Sequence, residues 1–146
     1  MARNFRKLAK ISPSEWLILS QLILFSLAAA VVLKLVGLSR LIGFMARCAV
    51  EPWLSSFPAL HGRHEIARLS DLAELATRAT HGQRRCLARS LLLFWLLKAR
   101  SEPATLLIGV SKVASTLQSH AWIETEGRVM GDSLEMTRRF ATFLRF

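Results

Sequence analysis

Pro103 separates two hydrophobic periods, and that change constrains the fold more than any other feature of the chain. Upstream, apolar residues recur at helical spacing or fill whole helices. Downstream, short β-branched and leucine runs of strand character follow one another. Helices followed by strands, in a chain of 146 residues, predict one α+β domain with helices packed on a small antiparallel sheet.

The clearest helix start is Ser12–Pro13–Ser14–Glu15. Ser12 is the cap, Pro13 sits at the first helical position, and Glu15 completes a capping box. This helix is expected over 13–35 with Gly37 as its stop, and Leu38 to Cys48 as a second apolar stretch. Glu51–Pro52 to Arg63 reads as a loop. Ser70–Asp71 is the expected start of a short helix whose core face is Leu72, Leu75, Ala76 and Ala79, ending at His81–Gly82. A further helix should begin near Gln83 and run through Leu91–Leu97 to about Arg100. Strands are expected over Thr105–Val110, Ser119–Glu124 and Arg128–Asp132, with a polar loop or hairpin tip over 111–118. Residues 1–68 then form a basic tail, apolar helices and a linker, and 69–146 the α+β core of one compact domain.

No charge falls between Glu15 and Lys34, and the chain is 52% hydrophobic with a mean hydropathy of +0.34. That excess needs a buried helix, a partner or a lipid surface to absorb it. A helix in the core, or docked on a partner or a bilayer surface, is preferred to a cleaved signal or a membrane span. The net charge of +10 is spread as singles and pairs, with no zinc-finger or RNP pattern. It indicates a basic surface rather than a nucleic-acid reader. Two cysteines, Cys48 and Cys86, are too few for a disulfide framework and are read as free thiols in the cytoplasm. His61 and His64 lack a convincing third ligand, so no metal and no cofactor is expected.

Chemistry concentrates in three residues. Cys86 lies at the head of the long apolar helix, where the helix dipole, Arg85 and Arg89 favour the thiolate. His120 and Asp132 follow on successive strands. With a three-residue loop Thr125–Glu126–Gly127, Glu124 pairs with Arg128 and His120 lies opposite Asp132 on one face. That order supplies a nucleophile, a base and an orienter, the arrangement of papain-like and transglutaminase-like enzymes. Gln83 and the Cys86 backbone N–H are candidate oxyanion donors.

Three blocks carry a more specific resemblance: Cys86–Leu87–Ala88–Arg89–Ser90–Leu91, Pro103–Ala104–Thr105–Leu106–Leu107–Ile108–Gly109–Val110, and His120–Ala121–Trp122–Ile123–Glu124 ending in Gly131–Asp132. They resemble the transglutaminase-like cysteine protease of lasso-peptide biosynthesis, the peptidase half of the split maturation B protein. The resemblance is dense over residues 70–135. It places the catalytic triad on Cys86, His120 and Asp132. It implies leader removal from a ribosomally made precursor peptide, a separate small leader-recognition protein, and an ATP-dependent lasso cyclase acting on the freed core. The chain departs from the family at Ser101–Glu102, where a glycine is common, and it ends soon after Asp132, which leaves completion of the sheet to the C-terminal residues or a partner.

The expectation is a cysteine endopeptidase with a transglutaminase/papain-like core. The rivals are an acyl transferase on the same fold and a non-catalytic, membrane-docked maturation scaffold.

Overall fold

A computed structural model describes residues 12–48, 66–81 and 85–146. Four helices, α1 (Pro13–Val36), α2 (Leu38–Cys48), α3 (Ile66–His81) and α4 (Arg85–Ala99), precede three strands, β1 (Thr105–Val113), β2 (Thr116–Thr125) and β3 (Arg128–Met130). A one-turn helix, α5 (Leu134–Thr137), leads to β4 (Ala141–Arg145). The sheet is antiparallel in the order β3-β2-β1-β4. The α+β architecture expected from the change at Pro103 is the one observed. The last strand comes from the residues after Asp132, so the chain completes the sheet itself.

α4 is the centre. Every residue from Ser90 to Leu97 is buried, as a helix apolar on all sides requires. It packs between the sheet on one side and α1, α2 and α3 on the other. Burying leucines of this kind contributes roughly 1.5–3 kcal/mol each, so the seven apolar residues Leu91–Leu97 are the principal anchor of the fold.

The ends of α1 follow the sequence closely. Ser12 Oγ accepts from the Glu15 N–H, the Glu15 carboxylate accepts from the Ser12 N–H at 2.7 Å, and Gly37 takes φ +80 at the far end. Glu15 has a second task. Its Oε1 accepts from Arg68 Nε on α3 at 2.6 Å, which holds its carboxyl down at about 2. Farther along, the buried Ser26 hydroxyl meets Thr80 at 3.1 Å and His81 Nε2 at 2.8 Å. One stripe of α1, Glu15, Ile18, Leu19, Leu22 and Ser26, is thereby packed against the domain.

Several local expectations are corrected. Ser70 lies inside α3, which already includes Ile66; burial of Leu69 outweighs the capping preference of Ser70–Asp71. The buried face of α3 is Leu69, Leu72, Ala73, Ala76 and Thr77; Leu75 is half-buried and Ala79 exposed. Of the loop and the hairpin tip expected over 111–118, the hairpin is observed: β1 and β2 run on to a two-residue turn at Ala114–Ser115, so both strands are longer than expected. Residues 112–119 are exposed, so no alternation was there to read. Ser101 takes φ +59, the left-handed conformation a glycine adopts without steric cost. The loop expected over 51–63, and with it His61 and His64, lies outside the described residues.

Candidate active site

Cys86 occupies the first turn of α4, with Leu87 after it and the buried run from Ser90 onward fixing the helix. Ser90, one turn along, donates its hydroxyl to the Ala121 carbonyl on β2 at 2.9 Å. That bond clasps the helix of Cys86 to the strand residue next to His120. The two partners are thus fastened to each other by a buried hydrogen bond outside both side chains.

His120 Nε2 donates to Asp132 Oδ2 at 2.8 Å, and each side chain keeps only 15% of its surface exposed. The hydrogen bond to Asp132, then the one with the Cys86 thiol, raises His120 to about 9 against the opposing cost of burial. Hydrogen bonding to His120 is the main cause that lowers the Cys86 thiol; burial opposes it, and backbone hydrogen bonds from Ala121 and Leu87 assist. With Nε2 committed to Asp132, Nδ1 is the ring nitrogen left for sulfur. A depressed thiol beside a raised imidazole favours the thiolate–imidazolium pair, the reactive form of a cysteine nucleophile.

The expected contact between His120 and Asp132 is present, but the expected register is not. The β2–β3 turn has two residues, Glu126 and Gly127, both at positive φ (48° and 76°), and Thr125 pairs with Arg128. Two positive-φ positions are what a tight I′-type hairpin requires. Continued unbroken, this ladder would set Asp132 against Ala121, on the face away from His120. Pairing ends instead at Met130, and Gly131 turns the chain at φ +73. A Cβ on Gly131 would lie 2.6 Å from Ser70 Oγ and 3.0 Å from Leu93 Cδ1. Gly131 is therefore the residue that brings Asp132 under the imidazole.

Arg89 has a different partner from the one anticipated. Its guanidinium donates to Asp132 Oδ2, the oxygen that also accepts from His120. The cation that faces the thiol is His120, and Arg89 acts on the acid. Arg85 also lies in the first turn of α4. Gln83 lies outside the described residues, as does the side chain of Cys48.

Sequence reasoning missed the aromatic wall around the imidazole. Phe140 lies 5.2 Å from His120 between ring centroids, and Trp122 is stacked at 6.2 Å. Both close over Gly109, which pairs with His120 across β1 and β2. A Cβ there would meet Phe140 Cβ at 2.7 Å and Trp122 Cη2 at 2.9 Å. A lone glycine inside the apolar run 105–110 was the available signal, since it marks a close approach of neighbouring groups. Phe140 carried no signal, because nothing local places it beside residue 120. Among the described residues, no group of three His, Cys, Asp or Glu side chains is placed to hold a metal ion.

Comparison with protein-family models matches residues 26–145 to the transglutaminase-like superfamily. The match begins at Ser26, midway along α1, and runs through β4. Comparison with curated proteins and with solved structures finds no match.

Proposed function

The chain belongs to the transglutaminase-like superfamily, and we propose that it is a cysteine endopeptidase that removes the leader from a ribosomally made lasso precursor peptide. The observation that carries the peptidase reading is the continuous chain from Cys86 through His120 to Asp132, with the thiol lowered and the imidazole raised. The lasso reading is supported by the resemblance of the blocks around Cys86, Pro103–Val110 and His120–Glu124.

In this reading Cys86 Sγ attacks the scissile carbonyl carbon, and the C–N bond breaks as His120 passes its proton to the departing amine. A thioester remains on Cys86. His120, now neutral, takes a proton from water, whose oxygen attacks the thioester carbonyl and returns the thiolate. Asp132 holds His120 in place and balances its charge through both proton transfers. The Cys86 backbone N–H, in the first turn of α4, is a donor for the oxyanion, since first-turn N–H groups have no partner within their own helix. A small separate protein holds the leader and an ATP-dependent cyclase closes the core peptide afterwards. Holding the leader raises the local concentration of the junction at Cys86 without moving the cut.

The test incubates the chain and its recognition partner with a precursor and weighs the products. Two fragments whose masses sum to the precursor plus one water are expected. Cys86→Ala, folded by circular dichroism, should yield none. A product carrying an added amine in place of water would make the chain an acyl transferase. Cleavage by Cys86→Ala at near the wild-type rate would remove the enzyme reading altogether.

A further inference from the structure

The outward face of α1 is apolar and uncovered. Trp16, Leu17, Leu24, Leu27, Val31 and Leu35 are all exposed, Leu24 by 67% and Leu35 by 78%. At 100° per residue they fall on one arc opposite the buried stripe of Ile18, Leu22 and Ser26. Two polar residues share that arc: Ser20, whose hydroxyl donates back to the Leu17 carbonyl at 2.8 Å, and the exposed Lys34 in the last turn. A serine satisfied by its own helix is compatible with lipid, and a lysine in the last turn lays its stem along the apolar surface while its ammonium reaches the headgroups. Contiguous apolar surface of this kind marks an interaction site.

Charge decides what covers it. Residues 1–50 hold seven basic side chains (Arg3, Arg6, Lys7, Lys10, Lys34, Arg40 and Arg47) and a single acid, Glu15. Glu15 is buried and ion-paired with Arg68. Positive charge therefore brackets the uncharged segment at both ends. Lys34, Arg40 and Arg47 are exposed. We infer that this face docks on an anionic bilayer surface, with α1 lying in the plane of the interface and its far side still packed on α3 and α4.

The helix is long and apolar enough to cross a membrane, but its packed stripe argues against crossing. Spanning would put the Glu15–Arg68 pair and the Ser26, Thr80 and His81 contacts into hydrocarbon, or strip α1 from the core. Lying flat keeps every one of these contacts, buries the arc of Leu24, Leu27, Val31 and Leu35, and sets the basic flanks among headgroups.

The experiment floats the full chain with phosphatidylcholine vesicles and with phosphatidylcholine–phosphatidylglycerol vesicles, at low and high salt. Binding to the anionic vesicles is expected, falling about tenfold or more on neutral vesicles or in high salt. Leu24→Glu with Val31→Glu should abolish it while circular dichroism and thermal melting stay unchanged, because both sites are exposed. Leu24→Met with Val31→Ile should retain it. Alkaline carbonate should release the bound protein. Retention after carbonate would mean a span, and binding indifferent to Leu24→Glu/Val31→Glu would place the surface elsewhere; either overturns the inference. So would a dimer without vesicle binding that the glutamate pair dissociates, since a second copy would then cover the face.

Discussion

Arg89 and His120 share one carboxylate oxygen, Asp132 Oδ2. Arg89 lies three residues after Cys86 on α4, so the helix that carries the nucleophile also grips the acid that orients the base. Asp132 sits beyond the last ladder pair of β3 and depends on this grip and on the bend at Gly131. Arg89→Gln should therefore lower kcat/KM by about 10²-fold, the scale of a misplacement of about 1 Å. Removing the guanidinium also leaves the Asp132 charge undivided on His120, so the alkaline limb of the pH–rate profile should move up from about 9. A drop in rate with an unmoved limb would reduce Arg89 to a structural brace.

The lowered thiol makes a prediction about reactivity. Thiolate forms as pH rises through the Cys86 value, which lies below the ordinary 9.0, so iodoacetamide should alkylate Cys86 readily near neutral pH. His120→Ala removes the principal cause of the lowering and should shift the alkylation midpoint upward. Imidazolium is lost as pH rises through about 9, which sets the falling limb of activity. Alkylation rates against pH, read by mass mapping of the Cys86 peptide, check the first point; an unchanged midpoint in His120→Ala counts against the pair.

Two glycines in the β2–β3 region separate backbone strain from the site. Gly127 and Gly131 share nearly the same φ, +76° and +73°, but a Cβ on Gly127 meets nothing within 4 Å while one on Gly131 strikes Ser70 Oγ at 2.6 Å. Gly127→Ala should cost about 1–2 kcal/mol for the left-handed conformation alone and leave the rate intact. Gly131→Ala should cost more and lower kcat by displacing Asp132. Equal melting-temperature losses and equal rates in the two variants would show that Gly131 does not position the acid.

Leu22 and Leu24 stand two residues apart in the same uncharged run, at 0% and 67% exposure. Leu22→Ala should destabilise the chain by about 2–5 kcal/mol, whereas Leu24→Gln should stay within about 0.5 kcal/mol. Denaturant midpoints decide between this packing and a helix detached from the domain, for which the two variants would behave alike.

The ion pair that anchors the same helix has a pH signature. Glu15 is lowered from 4.5 to about 2 by Arg68 and the Ser12 backbone, so its stabilisation is present above about 4.5 and is lost as pH falls through about 2. Glu15→Gln should flatten stability across that acid window relative to wild type. An identical acid dependence in both proteins would mean that the pair contributes nothing there.

Local chemistry alone determined the capped start of α1 at Ser12, its stop at Gly37, the apolar helix over Leu91–Leu97, the change to strands after Pro103, and the order of Cys86, His120 and Asp132. These depend on neighbours within a turn or two, or on a period, which a linear chain carries openly. The tertiary structure decided what depends on distant partners. It moved the β2–β3 register by one residue and restored the contact of His120 with Asp132 through the turn at Gly131. It gave Arg89 to Asp132, set Phe140 and Trp122 around the imidazole over Gly109, and extended α3 past its apparent cap to bury Leu69. Above all, it chose which side of α1 is packed: between Glu15 and Lys34 no charge distinguishes the faces of that helix, so only contact with α3 and α4 could separate Leu22 from Leu24.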